Sequence, residues 1–432
     1  MPLGTTAPPA PGQLLRHRLG NGLTVVLLPD PEVPAVAVAV AYDVGYRSEA
    51  RPGFAHLFEH LMFQGSSTLP KLAHAERVQA AGGAFNAVTQ RDHTCYYQVV
   101  PAEALELVLF LEADRMRGPR VTPETIANQV AVVAEEINQN FLGRPYGGFP
   151  AFTLPPVLFH EEANAHNGYG DTGTLSGVTP EECERFFADH YTPGSAVLAI
   201  SGAFDPQHAL DLAEKHFGAL PARPRTPRRD CPERLPDAER THTLTDPLAP
   251  AAAVAVGWRC PAPGTPEHLA ALLVAALLGD PQHGRLRRTL VRDGHAAQAA
   301  VLPSLTGQAF DARDPEALVA TAVCAPGSTP GQVADLIRHQ LDLLAVPDGF
   351  NEAELARAVR RLRAAWYSET DPVAARARRA AAFDVLLGRA ELVTELPRLL
   401  ATVDAGQVRA AAEALAACPP AVLTVEPAGG RP

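Results

Sequence analysis

The sequence predicts an α+β fold built from two duplicated α/β domains, each a mainly antiparallel sheet packed against helices. Three observations predict it. At 432 residues the chain is too long for one ordinary core and long enough for two of about 200 residues each. Short apolar runs bounded by turn residues alternate with longer helical patterns. A strand and helix unit also recurs. Setting Gly65 against Gly279 lays the apolar stretch before Gly65 on residues 267–278 and, with a slip of two residues, the run 35–42 on 251–258. The expected halves are 1–220 and 241–432. Between them, 221–240 is rich in Pro and Arg and reads as an exposed linker, its six arginines most simply solvated, with anion binding the lesser reading.

Each element follows from its residues. Residues 23–28 form a β-type run behind the turn signal Gly20-Asn21-Gly22, and 35–42 reads as a buried strand. After Gly45 and Pro52 comes an apolar helix, Gly53 to Gly65, then a second helix at 72–81 that stops at Gly82-Gly83. Two strands follow, 84–88 and 94–100, with Gln90-Arg91-Asp92 at the turn between them. Residues 104–116 read as a core-packing helix. A helix at 123–140 opens on Thr122-Pro123-Glu124, a capping hydroxyl with proline in the first turn. The second half ends in helices at 331–344, 352–368, 372–387 and 405–417 and a closing strand at 421–425. Trp366 and Tyr367 there read as core or interface anchors.

Composition excludes some functions. The net charge of −11, from 37 basic and 48 acidic residues with no long basic run outside the linker, argues against a nucleic-acid partner. Six widely spaced cysteines without a C-x-x-C pair read as free, mostly buried thiols of a reducing compartment. Residues 1–16 lack a charged-then-apolar leader pattern, and the longest apolar run, 269–278, is too short to span a bilayer. The expectation is a cytoplasmic protein with no membrane partner.

The chemistry concentrates in His56-Leu57-Phe58-Glu59-His60. On a helix His56 and His60 sit one turn apart with Glu59 between them, so all three reach the same patch of space. Two neutral imidazoles suit Zn2+, which takes four ligands and in catalytic sites leaves one position for water. Glu59, on the flank, is the candidate base that takes a proton from the attacking water. H-x-x-E-H is a hydrolase motif, although five residues scattered on a core helix would match it by chance. A hydrolytic zinc site commonly adds a carboxylate to two histidines. The helix at 123–140 offers Glu135 or Glu136, which otherwise read as a solvated acidic face. Gln129, seven residues before Glu136, shares its face and is a candidate to hold a ligand in place.

Together with Gly82 to Thr89, Thr94-Cys95-Tyr96-Tyr97 and Val132 to Ile137, this motif resembles the pitrilysin, or inverzincin, family (M16) of zinc peptidases. The resemblance is to its short-chain branch, which includes the mitochondrial processing peptidases and their bacterial relatives. It runs through His190-Tyr191-Thr192-Pro193 and residues 197–205, and covers the second half by layout. It implies one Zn2+ per chain, held by His56, His60 and Glu136, because the family's distal glutamate precedes an aliphatic residue, here Ile137. It implies hydrolysis of unfolded peptides or oligopeptides. Residues 84–88 resemble the edge strand on which an extended peptide adds, with Asn86 fixing the peptide near the scissile bond, though an Asn at a strand bend also has a structural reading. Phe85 and Phe63 are pocket or core residues. His93 is expected at the surface, and His74, His160, His166, His190 and His295 stay outside the metal site.

Two departures complete the reading. On the duplication register His56, Glu59 and His60 face Ala270, Leu273 and Val274, so the second copy is expected to be ordinary core there. Self-sufficient relatives carry an Arg and a Tyr about seven residues apart in that half. The matching stretch here, Arg285 to Gln298, has Arg292 as a substrate-binding candidate and no tyrosine. The resemblance therefore implies the zinc-bearing subunit of a heterodimer whose partner chain, of the same fold, supplies the Arg/Tyr pair. The alternatives are a non-catalytic scaffold or assembly subunit and a metal-binding module. Buried ionisable groups disfavour the scaffold, since they are costly unless paired or metal-bound.

Overall fold

The computed structural model describes residues 14–170 and 172–429. Most of the stretch 1–16, for which no leader pattern is expected, lies outside the described residues. The first half builds a six-stranded sheet from β1 (Leu15–Arg18), β2 (Thr24–Pro29), β3 (Ala35–Tyr42), β4 (Ala84–Thr89), β5 (Thr94–Pro101) and β6 (Ala196–Gly202), in the order β1-β2-β6-β3-β5-β4. The second half builds five strands, β7 (Arg240–Asp246), β8 (Ala253–Cys260), β9 (Ala296–Leu302), β10 (Glu316–Cys324) and β11 (Ala421–Pro427), in the order β7-β11-β8-β10-β9. Leaving out β1, the orders superpose strand for strand. In each sheet the half's first strand and its last pair parallel (β2 with β6, β7 with β11), and the other neighbours are antiparallel. The duplication read from sequence is thus a duplication of topology.

Strand β3 shows why the core reads as a continuous apolar run. Val36, Val38, Val40 and Tyr42 pack on one face with the helices α1 (Phe54–Leu61), α2 (Ala73–Ala80) and α3 (Leu105–Arg117). Ala37, Ala39 and Ala41 pack on the other, under the helix Val373–Leu387 of the second half. A strand buried on both faces has no polar side to show. Small residues on both partners, with Ala377, Ala380 and Ala381 on the helix, let it lie close to the sheet. The exchange is mutual. Leu154, Val157, Leu158 and Phe159 of the first half cover Ala255, Ala317, Val319 and Leu423 of the second sheet. Each large apolar side chain so buried contributes about 1.5–3 kcal/mol.

A buried polar clamp also joins the halves. Asp92 accepts from Arg47 Nε at 2.9 Å, from the Arg313 backbone at 2.7 Å and from Arg313 Nη2 at 3.1 Å, while Arg47 Nη1 donates to Asn164 at 3.1 Å. The predicted turn at 90–92 is present, but it is buried, and so is His93, 3% exposed rather than at the surface as expected. The turn fails to reach water because the second half lies over it.

Other expectations need similar correction. The linker arginines are not all solvated. Arg225 and Arg228 donate to Asp43 at 2.9 and 2.8 Å, because that carboxylate, 2% exposed, needs cations. The helix at 123–140 is α4 (Pro123–Ile137), followed by a single π turn, Asn138–Leu142. Ala270, Leu273 and Val274 lie in the core at 0–1% exposure, on the helix Pro266–Gly279. All six cysteines are free and five are buried. Among the described residues no helix is long and apolar enough to cross a membrane.

Candidate metal centre

Helix α1 starts where Gly53 adopts φ 87°, a left-handed conformation that suits glycine. A Cβ there would stand 2.2 Å from the carbonyl oxygen of Tyr169, so the tight approach also requires glycine. No side chain of the helix caps its start. Glu49 does so instead, accepting from Gly53 N at 2.7 Å and Ala55 N at 2.6 Å. Phe54, Leu57, Phe58 and Leu61 anchor one face of the helix in the core. His56, Glu59 and His60 are carried on the rest of its circumference, against α4 and β4.

Helix α4 completes the cluster. Its inward face carries Ile126, Gln129 and Val133, all buried, and Glu136 continues it. Glu136 Oε2 lies 3.4 Å from His60 Nε2 and 3.7 Å from His56 Nε2. A tetrahedral zinc with bonds of about 2.0–2.1 Å sets its donors about 3.3–3.4 Å apart. The His60–Glu136 separation matches that spacing, the His56–Glu136 separation is a few tenths of an ångström longer, and one ligand atom from each of the three lies within 4.8 Å of the others. Glu135 is exposed and accepts from Gln139 Nε2 at 2.6 Å, so of the two glutamates only Glu136 joins the histidines.

Glu59 stays out of the cluster. Its Oε2 accepts a 2.5 Å hydrogen bond from Thr89 Oγ1 on β4. Burial raises its pKa, with the Thr89 bond pulling the other way. Burial, helped by the neighbouring His60, lowers His56 to about 4, so the ring is neutral at pH 7, as a ligand must be. On His60 burial pulls down, but the groups that can accept from its ring N–H, Glu136 first and Gln129 last, and the charges of Glu59 and Glu136 outweigh it, and its pKa is raised. The His60 hydrogen bond leads in lowering that of Glu136.

Two residues at the site went unnoticed in the sequence, Thr89 and Tyr169. The Tyr169 hydroxyl donates to Glu136 Oε1 at 3.2 Å, and its ring meets His56 edge-on at 4.6 Å. Phe141 and Phe152 wedge the same ring, at 4.8 and 5.3 Å. The available signal was local. Gly168 and Gly170 both have positive φ, and Asn167 Oδ1 accepts from the backbone of Tyr169 and Gly170, a turn that fixes the residue between the glycines.

The remaining candidates are spread out. Gln129 is 5% exposed and lies near enough to His60 to help raise its pKa. Phe85 and Asn86 lie on β4, the free edge of the first sheet. Phe85 is half-buried against Phe63, ring centroids 5.5 Å apart, and Asn86 is exposed, its side chain accepting from Ala87 N at 2.9 Å. Arg292 is exposed at the end of the π segment Arg287–Arg292, and it is not one of the residues clustered with His56, His60 and Glu136 among those described.

Comparison with known proteins gives concordant matches. Residues 24–141 match the family model described as insulinase (peptidase family M16), and residues 177–362 match that described as peptidase M16 inactive domain. An uncharacterized zinc protease of Mycobacterium tuberculosis is 29% identical over 432 residues, covering 96% of this chain and 94% of that protein. Among solved structures, a protease from Helicobacter pylori superposes with a TM-score of 0.87 at 21% identity, over 97% of this chain and all of that one. The periplasmic protease PqqL of Escherichia coli gives 0.75 at 19% identity, with 97% of this chain matching 48% of that protein.

Proposed function

Because the chain belongs to peptidase family M16, we propose that it is a zinc-dependent endopeptidase that hydrolyses unfolded peptides or oligopeptides. The observation that carries this reading is the joint geometry of three donors clustered within 4.8 Å and a separate buried carboxylate, Glu59, turned toward the edge strand. His56, His60 and Glu136 would hold the ion. Zinc, when bound, supplies Lewis acidity and lowers the pKa of a water.

The other steps belong to side chains of the chain itself. Glu59 takes the proton of the attacking water and passes it to the leaving amine, and its burial-raised pKa suits a group that must both accept and donate. Thr89 fixes the rotamer of Glu59 through one oxygen. Gln129 steadies His60 and Tyr169 steadies Glu136. An extended peptide adds to the free edge of β4 through backbone hydrogen bonds, with Asn86 exposed beside it and Phe85 next to Phe63 as one wall of a side-chain pocket. No tyrosine follows Arg292 at any nearby position, so we further propose that a partner chain of the same fold supplies an Arg/Tyr pair to the substrate. PqqL, of which this chain spans about half, is consistent with two such units working together. The free cysteines favour a reducing compartment, the cytoplasm.

Metal analysis together with a peptide digest tests the reading. One zinc per chain with cleavage of an unfolded peptide is expected. A well-folded chain that binds zinc and cleaves nothing, alone or with any co-expressed relative, would overturn the peptidase assignment. If the isolated chain cleaves as fast as every co-expressed mixture, the partner is superfluous.

A further inference from the structure

On the opposite face of the first sheet from the metal centre, a cavity of about 600 Å³ lies between the halves. Strand β5 and the turn before it divide their side chains between the two sites. Tyr96 and Gln98 face the α1 and α3 side, whereas Cys95 and Tyr97, with His93 in the same alternation, face the second half. The cavity walls are apolar, with Leu272, Ala276, Val301, Phe310, Leu362 and Trp366 among them. Its volume is that of a small-molecule site.

The charges around it do not balance locally. Arg361 pairs with Asp280 at 2.6 Å, and Arg379 is held by both Asp311 and Glu369. Among the described residues Arg378 has no carboxylate partner. Its guanidinium lies over the Tyr97 ring at 4.5 Å, and its buried Nε has no hydrogen-bond partner. His93, 3% exposed and lining the same cavity, has a buried Nδ1 that is also unpartnered. Buried polar groups usually find a partner, and here two atoms without one belong to residues that line the same apolar cavity.

We infer that this cavity binds a monocarboxylate with an apolar body, its carboxylate on Arg378 beside His93. A guanidinium without a carboxylate among the described residues, sharing the cavity with the His93 imidazole, matches one negative charge. A phosphate dianion would meet Asp280, Asp311 and Glu369 around the same cavity, and a cation finds no free carboxylate there. A fatty acid and the free C-terminus of a short apolar peptide share this chemistry. The inference does not rest on the peptidase reading, since none of these residues belongs to the metal centre.

The test is displacement of 11-(dansylamino)undecanoic acid from the full chain, followed by dansyl fluorescence. Laurate should compete at least about tenfold better than dodecanol, the discrimination that one charge-assisted hydrogen bond gives. An N-acetylated trileucine acid and its amide form the peptide arm, and whichever acid competes more strongly identifies the natural source. Arg378→Met should bring laurate and dodecanol within about twofold of each other, and Arg378→Lys should keep the preference. Ala276→Phe fills the cavity and should abolish probe binding. Thermal melting of each variant confirms that it folds. Absence of probe binding, equal competition by acid and alcohol on the unaltered chain, or probe binding that survives Ala276→Phe would each overturn the inference.

Discussion

Removing one oxygen atom at Tyr169 should weaken zinc binding by about tenfold. In Tyr169→Phe the ring keeps its contacts with His56, Phe141 and Phe152, so only the 3.2 Å hydrogen bond to Glu136 Oε1 is lost. A hydrogen bond to an ionised group contributes about 1.5–3 kcal/mol. The Glu136 side chain is 27% exposed, so water can replace the lost donor in part, which argues for the low end of that range. About 1.4 kcal/mol is tenfold in affinity, within the 10–100-fold cost usual for groups that orient a metal ligand. The measurement is competition for zinc with a chromophoric chelator at neutral pH, with Glu135→Gln as the control that should change nothing. Zinc affinity within about twofold of the unaltered chain, in a variant of unchanged melting temperature, would refute the role given to the hydroxyl.

Glu59→Gln should leave zinc affinity nearly unchanged and lower peptide turnover by about 10²–10⁴, read from stoichiometry and single-turnover rates on the same sample; loss of metal would instead make Glu59 a ligand. Acid sensitivity should trace in part to His268, which is fully buried and, among the described residues, has no partner for either ring nitrogen. Burial lowers its pKa to about 4 from its ordinary value near 6.5, so the unfolded chain binds the extra proton in that interval. Its contribution is present above pH 6.5 and lost as pH falls toward 4, on the order of 3 kcal/mol. Melting curves of His268→Leu and the unaltered chain should therefore diverge toward acid, and parallel curves from pH 7 to 4 would exclude this origin. Asp92→Asn should cost about 3–5 kcal/mol by leaving Arg47 buried without its anion, while Arg313 keeps Asp43 at 3.0 Å, and a melting temperature that does not move would show that water reaches the clamp.

Much of the fold was legible because it is local. Strand β3 announced itself as an apolar run, α4 by Thr122 and Pro123, and the repeat by the spacing of strand and helix. Burial of the 90–93 turn was not legible. A Gln-Arg-Asp-His sequence looks solvated, and only the second half packing over it turns Asp92 and His93 inward. The linker misled for a similar reason: its arginines look free until Asp43, at the end of β3, lies beside them.

At the site itself the division is sharper. Helical periodicity alone set His56, Glu59 and His60 within one turn of each other and set Gln129 and Glu136 on one stripe, since neighbours on a helix are fixed by residue spacing. The choice between adjacent glutamates was made by packing, because the crossing of α1 and α4 decides which side of the second helix meets the histidines. The same holds for Tyr169 and Thr89, which reach the site by the path of a loop and by the pairing of two strands. Local pattern carries the face of an element, and only long-range packing decides what that face meets.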